Sequence, residues 1–123
     1  MKNLQLRNQT RDNIVCPRCQ LADNLWTRGK GLLGRKSLDQ NEGILLVPGT
    51  SIHMFGMKFA IDVIYLTKDD VVTDFVADIG PGKAHVAKDK AGKPHSALEV
   101  AAGTIARVGV QVGDKLERCE IAA

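Results

Sequence analysis

The stretch 51-SIHMFGMKFAIDVIYL-66 has the apolar composition of a buried β-strand, but it also contains His53, Gly56 and Asp62. From residue 59 onward, both faces of such a strand would be apolar, so Asp62 is expected among apolar side chains. A buried carboxylate without a partner is costly, so we expect Asp62 to have a bonding partner or to be held neutral.

The glycine between the two polar residues suggests how they could meet. In an unbroken strand, His53 and Asp62 would lie on opposite faces because successive side chains alternate. A β-bulge at Gly56 would add one residue, reverse the alternation and bring both side chains to the same face. The alternative is that His53 is a structural histidine and that Asp62 accepts hydrogen bonds from the backbone.

The segments around this stretch predict a β-rich domain with two short helices. A hairpin is expected to turn at 67-TKDD-70, with Asp74 and Asp78 of its second arm facing solvent. Residues 80–96 are expected to form a long loop that is either mobile or functional. The expected strands are an edge strand LQLRNQ, then NIVC, two strands within 44–55, the hairpin arms 59–66 and 71–79, and strands at 97–101 and 115–121; the expected helices lie at about 20–28, ending at Gly29, and at 103–109.

Length and composition are those of one globular domain of 123 residues. No apolar run approaches the roughly 18 residues of a membrane span, and the polar N-terminus has no signal region, so we expect a cytoplasmic protein without a membrane partner. Residues 1–36 carry eight Lys/Arg against two Asp, which favours either a solvated face or a phosphate contact. Because only Trp26 among the aromatic residues lies in this basic part, nucleic acid is not the expected partner.

Two short motifs are considered for chemistry. The segment 29-GKGLLG-34 matches G-x-G-x-x-G, but the strand before it and the long helix after it are missing, so the match is accidental. The pair 16-CPRC-19 has redox or zinc spacing. A zinc site would need two more ligands, which Cys119 and one of His53, His85 or His95 could supply.

Several motifs resemble an uncharacterised prokaryotic family, domain-of-unknown-function family 192. The segment 28-RGKGLLGR-35 resembles its R-x-x-G-L-[LM]-x-R element, and 52-IHMFGMKFAIDVIYL-66 resembles its central element almost residue for residue. The likeness covers about residues 21–116 and implies a single small β-barrel-like domain with no established activity or cofactor. The residues that it singles out are Arg28, Gly31, Arg35, His53, Met57, Asp62, Glu99 and Asp114.

Three functions remain open. The favoured one is a non-enzymatic accessory module that binds a small molecule or a partner protein in a polar pocket around His53, Asp62 and Glu99. The second is a hydrolase-type enzyme that uses His53 with Asp62 or Glu99. The third is a metal or redox protein that uses Cys16, Cys19 and Cys119. The expected binding residues are Arg28, Arg35, His53, Met57, Asp62 and Glu99.

Overall fold

A computed structural model describes residues 2–122, apart from the side chain of Leu25. Over these residues the chain is mainly β, with nine strands and two short helices. The elements are β1 (Asn3–Asn8), β2 (Asn13–Ala22), α1 (Leu25–Lys30), β3 (Glu42–Leu46), β4 (Ser51–His53), β5 (Ile61–Leu66), β6 (Val72–Ile79), β7 (Ala84–Val86), β8 (Ser96–Ala101), α2 (Thr104–Val108) and β9 (Leu116–Ile121). Neither helix in this part of the chain has the length and apolar character needed to cross a membrane.

Seven strands form one sheet in the order β6-β5-β8-β3-β2-β1-β9, and β4 pairs separately with β7. All neighbouring strands of the large sheet are antiparallel except β2 and β3. The predicted hairpin is confirmed, because β5 and β6 pair across the turn at residues 67–70. The predicted edge strand β1 is instead an interior strand between β2 and β9.

The central strands are buried on both faces. Their side chains alternate between the two faces of the sheet, and each face packs in a different apolar cluster. One cluster contains Ile64, Leu98 and Val100 together with residues of α2. The other contains Val63 and Ala97 together with residues of β4 and the loop after α1. Asp62 lies opposite Val100 and Glu99 lies opposite Val63, so the two carboxylates belong to opposite faces of the sheet.

The two edge strands of the sheet approach each other at one end. An isolated bridge joins Val71 to Lys115, and the Arg118 guanidinium pairs with both oxygens of Asp70 at 2.8 and 2.9 Å. Within the described residues, no ladder joins β6 to β9 along their lengths. The sheet is therefore not closed into a barrel, and the barrel-like part of the expectation is not confirmed.

The stretch 51–66 is not one strand with a bulge at Gly56, so the predicted bulge is wrong. β4 ends at His53, β5 begins at Ile61, and the two belong to different sheets. Between them, Gly56 has a φ of +79° in a turn where the Met57 N–H donates to the carbonyl of Met54. A Cβ on Gly56 would also lie 3.1 Å from Leu33 Cδ1. Glycine is favoured at position 56 because it adopts the positive φ of the turn and has no Cβ to crowd Leu33.

The first helix begins later than predicted because β2 continues to Ala22 and pairs with β3. Asn24 caps α1 by accepting from the Thr27 N–H at 2.9 Å. Gly29 lies inside the helix, which ends at Lys30, and the residue that caps its C-terminus is Gly31, whose φ is +45°.

The segment 80–95 contains β7 and is attached to the body by a residue predicted to face solvent. Asp74 is buried and accepts a hydrogen bond from the Lys88 N–H, and it pairs with Lys90 Nζ at 2.9 Å. The prediction of an exposed Asp74 is wrong because this segment folds back over β6. Asp78 is exposed, as expected.

Candidate functional site

A cavity of about 170 Å³ opens between α1, β4 and the centre of the large sheet. Its walls come from three parts of the chain that are distant in sequence: residues 28–33, residues 51–57, and the strands β3 and β8 at the floor. The residues that line it are Arg28, Gly29, Lys30, Gly31, Leu32, Leu33, Leu46, Ser51, Ile52, His53, Met54, Phe55, Met57 and Glu99.

Glu99 is a buried acid at the floor of this cavity. Its side chain projects from the interior strand β8 between Ile44 on β3 and Val63 on β5, and the residue is only 8% exposed. Among the described residues it forms no ion pair within 4.0 Å and no side-chain hydrogen bond. Burial raises the pKa of Glu99 to about 7, so the carboxyl changes charge near neutral pH.

Arg28 is the second polar group in the cavity without adequate partners. It lies in the last turn of α1, and its Nε is buried with no hydrogen-bond partner among the described residues. Its Nη1 makes a long contact of 3.5 Å with the carbonyl oxygen of Pro48. The cavity therefore contains a carboxyl group and a guanidinium group that do not form a hydrogen bond or an ion pair with each other.

His53 lines the same cavity but does not form an acid–base pair. His53 is exposed on β4, and its ring stacks on the ring of Phe55 with the centroids 5.4 Å apart. No hydrogen bond joins the imidazole to Glu99 or to Asp62 in the described part of the chain. Met57 is half-buried and contributes to the wall.

Asp62 does not lie in this cavity, which corrects the expected meeting of Asp62 with His53 and Glu99. Its carboxylate accepts from the backbone N–H groups of Asp78 at 2.8 Å, Gly103 at 3.1 Å and Ile105 at 2.9 Å. Two of these donors belong to the start of α2, whose own cap residue, Gly103, has no side chain to offer. The alternative given by the sequence, that Asp62 accepts hydrogen bonds from the backbone, is confirmed.

Two further residues singled out by the resemblance also lie elsewhere. Arg35 does not line the cavity, and its Nη1 is 3.8 Å from the carboxylate of Glu42 on the surface. Asp114 is buried at a turn, where Asn8, Arg11 and the Gln111 N–H donate to one of its oxygens. Although burial alone raises the pKa of Asp114, these donors hold it below its ordinary value.

The cysteines are not brought together as a metal site. Cys16 and Cys19 are buried in β2 rather than placed at the start of a helix, whereas Cys119 is exposed on β9. Within residues 2–122, no group of three or more His, Cys, Asp or Glu side chains is arranged to hold a metal ion. The neighbouring Cys16 and burial raise the pKa of the Cys19 thiol, which does not favour a reactive thiolate there.

The apolar rim of the cavity and the role of 29-GKGLLG-34 are not expected from the sequence patterns. Leu33 and Phe55 are 51% and 62% exposed at the cavity mouth, an unusual position for large apolar side chains. The glycine-rich segment, which does not fit nucleotide binding, forms one wall of the cavity together with Arg28. The feature of the sequence that could have indicated this role is the resemblance of 28-RGKGLLGR-35 to the first motif of the family.

A second hollow of about 400 Å³ lies between β2 and the segment before β3. Its lining residues are exposed or half-buried: Pro17, Arg18, Asp39, Asn41, Glu42 and Ile121. It has no buried charged group without a partner among the described residues, in contrast to the Glu99 cavity. The smaller cavity is therefore the stronger candidate.

The fold and cavity define a small, mainly β protein with one buried acid beneath a glycine-rich wall. The chain belongs to domain-of-unknown-function family 192, described as "Uncharacterized ACR", whose model matches residues 6–118. This match is longer than the expected 21–116 and includes Cys16 and Cys19. No significant match was found among curated proteins.

Two crystal structures share this fold. A protein of unknown function from Novosphingobium aromaticivorans has a TM-score of 0.75 and 25% identity, covering 94% of this chain and 83% of its own. A protein from Sinorhizobium meliloti described as a candidate transcription regulator has a TM-score of 0.77 and 22% identity, covering 95% of this chain and 92% of its own. At that identity, the second likeness shows the fold alone.

Proposed function

We propose that this protein is a non-enzymatic binding module that holds a small polar ligand in the cavity above Glu99. The observation that carries this proposal is that one cavity contains two polar groups without partners among the described residues. Within residues 2–122, the Glu99 carboxyl belongs to a residue that is 8% exposed and forms no hydrogen bond or ion pair, and Arg28 Nε is buried without a hydrogen-bond partner. Buried polar groups usually have hydrogen-bond partners, and those without one often mark a site where a ligand supplies it.

The cavity size limits the ligand. A cavity of about 170 Å³ is of the size that holds one small molecule, as does an apolar cavity of about 150 Å³ that binds benzene. The ligand therefore has about six to ten non-hydrogen atoms if part of it remains in solvent. The proposed binding residues are Arg28, His53, Met57 and Glu99, with Arg28 and Glu99 providing the polar contacts.

An acid–base enzyme is the second candidate, and one observation favours it. Burial raises the pKa of Glu99 to about 7, which suits a general acid or base at neutral pH. Its expected histidine partner is not hydrogen-bonded to it among the described residues, and neither is Ser51, the one hydroxyl side chain that lines the cavity. Chemical conversion of a bound ligand, lost in Glu99→Gln, would favour this candidate over a simple binding module.

A ligand screen followed by NMR tests the proposal. We expect at least one small polar compound to shift the backbone amide signals of residues 28–33 and 51–57 in the labelled protein. Glu99→Gln should abolish the shifts, because its amide can no longer provide a carboxylate. Arg35→Gln, a change in the same glycine-rich segment but outside the cavity, should preserve them. If binding compounds shift only residues around Asp39 and Ile121, or if none binds, the proposal is wrong.

A further inference from the structure

We propose that the ligand is a small zwitterion, bound with its ammonium group against Glu99 and its anionic group against Arg28. This inference rests on the proposed function and adds the chemical class of the ligand. It follows from the presence of one acidic and one basic group in the same small cavity, each short of partners.

The two groups do not neutralise each other in this structure. Within the described residues, no ion pair joins Arg28 to Glu99 within 4.0 Å. Burial is the cause of the raised pKa of Glu99, whereas a nearby guanidinium would lower it. A ligand with a single charge would bind one group and leave either the Glu99 carboxyl or Arg28 Nε without a partner, which is costly. A zwitterion satisfies both.

The rest of the lining suits the carbon skeleton between the two charges. Leu32 and Met54 are buried apolar walls, and Met57 and Phe55 extend them toward the mouth. Methionine adapts its shape to different skeletons. The opening at the mouth would let a longer skeleton reach solvent.

Ligand binding should be coupled to proton release. The titratable or charged groups that face Glu99 are Arg28 and Lys30 on α1, His53 on β4 and Tyr65 on β5; its direct neighbour on β3 is the apolar Ile44. An ammonium group binds the ionised carboxylate, so it lowers the pKa of Glu99. Since the free carboxyl is mostly protonated below its pKa of about 7, binding at lower pH must displace that proton.

Calorimetry with three compounds of matched chain length tests the class. The probes are γ-aminobutyrate, butylammonium and butyrate, with β-alanine and 5-aminovalerate to vary the distance between charges. We expect one of the zwitterions to bind at least about tenfold more tightly than either singly charged compound. Equal or tighter binding of butylammonium or butyrate would overturn the inference. So would the absence of zwitterion binding.

Variants and proton counting complete the test. Glu99→Gln and Arg28→Gln should each reduce the zwitterion affinity to about that of the singly charged compounds, whereas Arg35→Gln should leave it unchanged. At pH 6, titrations in two buffers of different ionisation enthalpy should show release of about 0.9 proton per zwitterion bound, given a pKa of about 7. Binding without proton release would contradict the orientation proposed here.

The two proposals can fail separately. If the NMR screen finds a neutral or singly charged ligand in the Glu99 cavity while no zwitterion binds, the zwitterion inference is wrong and the binding function stands. If no compound of any class perturbs the cavity, both are wrong.

Discussion

Glu99 occupies a position that favours function over stability. Its neighbours across the strands are Ile44 and Val63, and an apolar residue there would extend the cluster on that face. Instead, a carboxyl group is buried without a partner among the described residues. Functional groups often reduce the stability of the fold that holds them, and Glu99 has the character of such a group.

The first prediction concerns the pH dependence that Glu99 gives to stability. Its folded pKa of about 7 is above the reference value of 4.5, so the folded state binds more protons between these values. Stability from this group is therefore present below about pH 4.5 and is lost as the pH rises through 7. The loss is about 3 kcal/mol for a shift of this size.

Glu99→Gln keeps the shape but cannot ionise, so it should raise the free energy of unfolding at pH 8 by up to about 3 kcal/mol and change it little at pH 4.5. Urea denaturation at both values measures this, with the change Glu120→Gln at an exposed position as the control. If Glu99→Gln is no more stable than the parent at pH 8, Glu99 has a partner that the structure does not show.

At the scale of elements, Asp62 attaches helix α2 to strand β5. The helix has five residues and no capping side chain of its own, so it depends on Asp62 for acceptors at Gly103 and Ile105. Two carboxyl groups thus have opposite roles on the two faces of the sheet: Asp62 accepts three backbone hydrogen bonds, and Glu99 accepts none among the described residues.

Asp62→Asn should destabilise the protein by about 3 kcal/mol, because the new amide places a donor where backbone donors converge. Amide hydrogen exchange at Gly103 and Ile105 should accelerate, while ligand affinity in the Glu99 cavity should stay unchanged. Asp69→Asn, at an exposed position in the turn between β5 and β6, is the control and should have little effect. A loss of ligand binding with normal stability in Asp62→Asn would show that Asp62 is a binding residue after all.

A third prediction concerns the segment 80–95. Burial alone raises the pKa of Asp74, but Lys90 and the N–H groups of Lys88 and Phe75 outweigh it and hold the value below the ordinary 3.8. The stabilisation is therefore present above about pH 4 and is lost as the pH falls through the lower folded value.

Asp74→Asn should accelerate hydrogen exchange of the Lys88 amide at neutral pH, because that N–H loses a charged acceptor. The exposed Asp69→Asn serves as the control. Unchanged protection of Lys88 in Asp74→Asn would mean that Thr73, which accepts from the amides of Lys90 and Ala91, holds the segment by itself.

Local elements of this fold were predictable, and their non-local arrangement was not. The β5–β6 hairpin and the stop of α2 at Gly109 follow from short-range patterns. The parallel pairing of β2 with β3 extends β2 and displaces α1, which no local pattern indicates. A glycine within an apolar run fits both a bulge and a turn, so the sequence does not distinguish the two at Gly56.

The candidate site was predictable in part for the same reason. Resemblance and composition indicated Arg28, His53, Met57 and Glu99, and all four line the cavity. Asp62 was grouped with them because the sequence does not show on which face of the sheet each strand presents its polar residue. That depends on the register of β5 against β8, which is set by the whole sheet.

At the scale of the whole molecule, the distribution of the cysteines tests the metal or redox alternative. Cys16 and Cys19 are enclosed by the cluster that joins β1, β2 and α2, and Cys119 is exposed. A thiol reagent should modify one thiol rapidly in the native protein and the other two only after unfolding. Cys119→Ser should remove the rapid phase. Rapid modification of all three thiols, or metal bound at one equivalent, would support the alternative instead.

The most direct test is a pH titration of the Glu99 side-chain carboxyl, monitored by ¹³C NMR. The signal of Glu99 is identified as the one that is missing in Glu99→Gln. The account predicts a midpoint near 7 in the free protein, and a lower midpoint when a zwitterion fills the cavity. A midpoint near the ordinary value of 4.5 in the free protein would contradict it, because Glu99 would then not be a buried acid in need of a partner.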